Sequence, residues 1–112
     1  MNKIEKNGDI AVLYAPGYGA GWSTWNGDQY REMLTMDADI VQAVLDGDRQ
    51  KAADIATKKI REITKNPEEH VCVLGAEDLA VFWIPKGSLF EISEYDGAEG
   101  VRIIENQNFL RA

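Results

Sequence analysis

The chain has 112 residues, 45% of them hydrophobic and 28% charged, and its 19 acidic and 12 basic side chains leave a net charge of −7. This length suits one domain spanning residues 1–112, since a chain this short buries about two-thirds of the surface its unfolded form exposes. The acidic balance argues against a nucleic-acid partner, because such binding draws on lysine and arginine displacing phosphate counterions, and no apolar run approaches the ~20 residues of a membrane span.

The opening MNKIEKNGD has no apolar stretch behind it of the kind an export signal needs. DIAVLY, Asp9 to Tyr14, is a short apolar run ending before Pro16 and reads as a strand. The glycine-rich YAPGYGAGWSTW follows it. Asp28 is then a candidate N-cap for QYREML, with Tyr30, Met33 and Leu34 at helical spacing, and Asp37 caps ADIVQAVLDG, where Ile40, Val41, Val44 and Leu45 share a side. Gly47 closes that helix. Asp48 opens RQKAADIATKKIREIT, whose Ala52, Ala56, Ile60 and Ile63 line one face until Asn66 and Pro67 stop it.

From His70 the period becomes that of strands. HVCVL, LAVFWI and LFEISEY are separated by the turn compositions GAED and PKGS, and VRII follows DGAEG. The expectation is α+β: a small antiparallel sheet of four to five strands in a meander, LAVFWI near its centre, and two or three helices on one face. Both parities of LAVFWI are apolar, so this strand needs two covers. Helices supply one. A loop or a second subunit supplies the other, which makes a homo-oligomer, a dimer, the expected state. Cys72, the lone cysteine, sits in VCVL and reads as a buried thiol in a reducing compartment.

In the glycine loop, Gly17, Gly19 and Gly21 alternate with Tyr18, Ala20 and Trp22. The spacing fails both phosphate-binding fingerprints: a dinucleotide loop needs a third glycine where Trp22 stands, and a P-loop needs Gly-Lys-Ser/Thr where the chain has Gly21-Trp22-Ser23. The shared physics survives. Glycines can aim successive N–H groups into one concavity, Ser23 and Thr24 add hydroxyls, and Tyr18, Trp22 and Trp25 offer faces for a planar ring. The same composition also fits a lid, with the tryptophans buried on the sheet while the glycines let the chain turn.

LFEISEYDG places Glu94 on the same strand parity as Phe90 and Ile92, so its carboxylate needs a partner, and the first loop holds plentiful donors. Asp96-Gly97 between two alternating segments is a strong hairpin signal, compatible with a functional Glu94, Tyr95 or Asp96 at the turn. The pairing of GYGAGWSTW with EYDG, joined by helices and LGAEDLAVFWIPKG, resembles a group of small uncharacterised bacteriophage proteins over roughly Ile10 to Ile104. The matching positions are Gly19, Gly21, Trp22, Ser23, Trp25, Gly75, Glu94, Tyr95, Asp96 and Gly97, and the chain departs from that pattern at Gly97-Ala98-Glu99-Gly100, where Ser-Glu-Ser is more usual. The resemblance implies a phage-encoded protein acting in the cytoplasm of a bacterial host.

No catalytic set is evident. His70, the only histidine, lacks a partner set, Glu77-Asp78 reads as a solvated turn, and Ser23 has no histidine in a recognisable arrangement. We therefore expect no enzyme, cofactor or metal, and no nucleic-acid or membrane partner. The expected function is a binding protein that sequesters a nucleotide-like small molecule, a host immune signal, through Tyr18, Gly19, Gly21, Trp22, Ser23, Thr24, Trp25, Glu94, Tyr95 and Asp96. A protein-binding inhibitor of a host defence protein is the alternative, and a small hydrolase using Glu94 or Asp96 a third.

Overall fold

The computed structural model describes residues 1–64 and 73–104. Its elements run β1 (Glu5–Lys6), β2 (Asp9–Tyr14), α1 (Arg31–Met36), α2 (Ala38–Leu45), α3 (Arg49–Thr64), β3 (Ala80–Pro85), β4 (Leu89–Tyr95) and β5 (Ala98–Ile104), with 3₁₀ turns at Asp28–Tyr30 and Ala76–Asp78. The fold is α+β, with three helices and five strands among the described residues. Two departures from the expected meander matter for the site. Among the described residues the strands form two antiparallel sheets, β1-β2-β3 and β4-β5, in which β3 lies at an edge while β2 is central. HVCVL falls largely outside the described residues, as do Cys72, His70 and the C-terminal Phe109 and Leu110.

Alternation explains the layering. Ala11 and Leu13 on β2 face the same side as Val81 and Trp83 on β3, and this side packs on Ile40, Val41 and Val44 of α2 and Ala52, Ala56 and Ile60 of α3. Ile10, Val12 and Ile84 face the other side, where they meet Met36 at the end of α1 and the hairpin residues Phe90, Val101 and Ile103. The β4-β5 hairpin thus supplies the second cover at the Ile84 end of the LAVFWI strand, where a loop or another subunit was expected, while Phe82 on the same face stays 39% exposed. After Pro85 the chain turns at Ser88, whose N–H donates to the Pro85 carbonyl, and β4 leaves the first sheet to lie across it.

Helix ends follow their short polar side chains. Asp37 accepts from the N–H groups of Asp39 and Ile40, and Asp48 accepts from Lys51 N–H at 3.0 Å, so both act as expected. Asp28 does not cap; it pairs with Arg31 at 2.8 Å, and Gly27 precedes the 3₁₀ turn instead. Ile63 is 57% exposed, so the buried stripe of α3 ends at Ile60. Lys59 reaches from α3 to the Asp37 carboxylate at 2.8 Å and to Asp39 at 3.0 Å, tying α3 to the start of α2.

Burial alone would lower the Lys59 pKa, but its bonds to Asp37 and Asp39 outweigh burial and hold it above the ordinary lysine value. The contribution of Lys59 to stability is therefore complete below pH 10.5 and fades as pH rises through the higher folded value. Melting curves of the parent are expected to fall faster above that pH than those of Lys59→Met. Asp37→Ala should cost about 1–2 kcal/mol in urea unfolding at neutral pH, roughly 1 from the lost cap and the rest from the lost ion pair, since Lys59 keeps its bond to Asp39.

Candidate functional site

The segment between β2 and the first 3₁₀ turn is held by one side chain from the far end of the chain. Glu99, second residue of β5 and only 5% exposed, accepts from Ala15 N–H at 2.9 Å on Oε1. Its Oε2 accepts from Trp22 N–H at 2.8 Å, Thr24 N–H at 3.0 Å and the Thr24 hydroxyl at 2.6 Å. The Glu99 backbone N–H donates to the Ala15 carbonyl at 2.7 Å, so main chain and side chain clamp the same strand end. The glycine loop does form an anion nest, and the anion in it is the chain's own carboxylate.

Gly21 makes this geometry fit. A Cβ there would lie 2.6 Å from Thr24 Oγ1 and 3.0 Å from Glu99 Oε2. Two further ties close the loop. Asn26 donates to the carbonyls of Trp22 (2.6 Å) and Leu74 (2.8 Å) and accepts from Leu74 N–H (2.9 Å), and Gly19 N–H donates to the Asp96 carbonyl at 3.0 Å. Asp96 and Gly97 occupy the left-handed region (φ 49° and 84°), the two-residue hairpin turn that Asp-Gly favours. A Cβ on Gly97 would lie 2.7 Å from Gly19 C, so the turn packs backbone to backbone on the loop.

The ten expected site residues separate into two sets. Trp22 is fully buried among the helices and sheet, its indole N–H donating to the Leu34 carbonyl at 2.6 Å, so it presents no face to a ligand. Gly21 and Ser23 are buried beside it, and Ser23 Oγ has no hydrogen-bond partner among the described residues. Thr24 is half-buried on Glu99. Tyr18 (77% exposed), Trp25 (44%) and Tyr95 (73%) stand at the surface, together with Gly19, Glu94 and Asp96.

The N–H groups expected to hold a phosphate include those of Gly19, Trp22 and Thr24, which are already donating within the chain. Glu94 does not draw on the loop either; its Oε1 accepts from Gly97 N–H at 2.7 Å in its own turn. The residue that does was overlooked in the sequence although the same signal marks it. Glu99 shares strand parity with Val101 and Ile103, and pairs across the hairpin with Glu94.

A cleft of about 560 Å³ opens beside the clamp, between α1 with its preceding turn and the inner face of β4. Met36, Phe90 and Ile92 form its apolar floor, and Thr24 and Thr35 line its polar part. Asp28, Gln29, Arg31, Glu32 and Glu91 surround it. Thr24 therefore joins the nest to the cleft: its hydroxyl donates to Glu99 while its side chain lines the opening. Among the described residues no group of three or more His, Cys, Asp or Glu side chains is arranged to hold a metal ion. No helix among them is long and apolar enough to cross a membrane.

No protein-family model, curated protein or solved structure matches the chain. The site rests on its own geometry.

The two tryptophans should behave differently. Trp22→Ala removes a fully buried indole and is expected to cost about 3–5 kcal/mol of unfolding free energy, whereas Trp25→Ala should stay within about 1 kcal/mol. Glu99→Gln turns an amide N–H₂ toward donors that need an acceptor and should cost about 2–4 kcal/mol, read from urea titrations followed by tryptophan fluorescence.

Proposed function

We propose that this chain is a binding protein that holds a small molecule intact in the cleft between α1 and β4. The observation that carries this reading is the cleft itself. Its volume of about 560 Å³ lies in the range of small-molecule sites, and it sets an apolar floor of Met36, Phe90 and Ile92 among polar and charged side chains that can orient a ligand. The resemblance to bacteriophage proteins extends the proposal to a biological role: sequestering a small-molecule signal of host defence, for which the glycine loop's composition suggested a nucleotide.

Filling the floor tests the site. Ile92→Trp should weaken any ligand that raises the parent's melting temperature by tenfold or more, about 1.4 kcal/mol, while leaving the unliganded melting temperature within a few degrees. Ligand recovered by mass spectrometry after denaturation should be chemically unchanged. An altered molecule would point to catalysis, and a parent that no small molecule stabilises would sink the reading.

A protein-directed inhibitor is favoured by one other observation. Tyr18 and Tyr95 are both largely exposed, and the Gly19 to Asp96 hydrogen bond joins the loop and turn that carry them. Exposed aromatic side chains on a rigid support are typical anchors of protein interfaces. A dimer, expected from the sequence, would pair through β3, which among the described residues has a neighbour on one edge only and carries the 39%-exposed Phe82. Sedimentation at high micromolar concentration should then show twice the monomer mass, and Phe82→Lys should return it to monomer.

A further inference from the structure

The lining of the cleft is uneven in both charge and hydrogen-bonding capacity. Asp28, Glu32 and Glu91 stand around it against Arg31 alone. Arg31 is bonded to Asp28 at 2.8 Å, and Glu91 faces Arg102 at 3.4 Å, whereas Glu32 forms no salt bridge among the described residues. The two hydroxyls in the lining have spent their protons elsewhere. Thr24 donates to Glu99 and Thr35 donates to the Arg31 carbonyl, leaving each oxygen with lone pairs and no proton to offer.

Apart from the Gln29 amide and the remaining N–H groups of Arg31, the lining thus presents acceptors and negative charge above an apolar floor. A phosphate requires the reverse, and the backbone donors of the neighbouring nest are already turned onto Glu99. An ammonium has three donors and no acceptor, which matches what the lining offers. The net charge of −7 over the whole chain adds a field that favours cations and opposes anions.

We infer that the cleft takes a hydrophobic organic amine: a protonated amino group toward Glu32 and the threonine oxygens, and an apolar or aromatic body on Met36, Phe90 and Ile92. This rests on the small-molecule reading above and narrows it, replacing the phosphate-bearing ligand expected from the glycine loop by a cationic one.

The probes are phenethylamine, its uncharged analogue 2-phenylethanol, and adenosine monophosphate, titrated into ¹⁵N-labelled full chain at low and high salt. The amine is expected to shift the amides of Phe90 and Ile92 saturably, to bind at least about fivefold more tightly than the alcohol, and to lose that advantage in Glu32→Gln and at high salt. Glu32 is exposed, so the variant should keep the parent's amide spectrum away from the cleft. Equal binding of amine and alcohol would overturn the charge assignment, as would tighter binding of the nucleotide, and either result would leave the cleft a small-molecule site. If none of the three probes shifts the cleft amides, the amine assignment and the small-molecule reading both fail.

Discussion

Four hydrogen bonds onto the Glu99 carboxylate hold the glycine–tryptophan segment in place, and the rest of the site is arranged around them. A buried carboxylate without partners costs several kcal/mol, so Glu99 can enter the interior only where a set of donors is already converging. The glycine-rich loop provides that set. In turn, the loop N–H groups would be stranded without an acceptor, and no other acidic side chain among the described residues bonds to them. The two segments lie more than seventy residues apart, and each satisfies a cost the other would incur alone.

This clamp accounts for how a two-stranded hairpin is fastened to the body of the protein. An isolated hairpin is marginal in water. Here Phe90, Val101 and Ile103 bury against Ile10, Val12 and Ile84, while Glu99 and Asp96 bond to the loop at the turn end of the hairpin. The apolar contacts are non-directional and the polar ones are not, so packing supplies cohesion and Glu99 supplies register. The cleft opens on this same hairpin's inner face, which makes its shape depend on how firmly the turn end is held.

Two tryptophans three residues apart have opposite fates for a geometric reason. Trp22 follows Gly21 directly, where the backbone dives toward Glu99 and its indole can reach the Leu34 carbonyl under α1. Trp25 comes after the turn closed by its own N–H to the Trp22 carbonyl, with the chain on its way back out. Flexible composition here serves burial at one position and exposure at the next, and the loop as folded is densely bonded.

Periodicity and capping residues determined much of the chain by themselves. The β2 strand at DIAVLY, the α2 cap at Asp37, the α3 face of Ala52, Ala56 and Ile60, and the Asp96-Gly97 turn all depend on contacts within a few residues, which local composition encodes. The Asn7-Gly8 turn that pairs β1 with β2 carried the same kind of signal, and the strand pattern read from the sequence, which begins at DIAVLY, did not include it. Other features were settled only when distant segments met. Parity marked LAVFWI as two-sided without saying that the cover was the chain's own hairpin, and it marked Glu94 and Glu99 alike, on paired positions of one face. Tertiary structure chose between them because Glu99 alone bonds to both Ala15 and Thr24, whereas Glu94 bonds back to Gly97 in its own turn. Strand alternation specifies which face a side chain takes, and the partner waiting on that face is a property of the assembled fold.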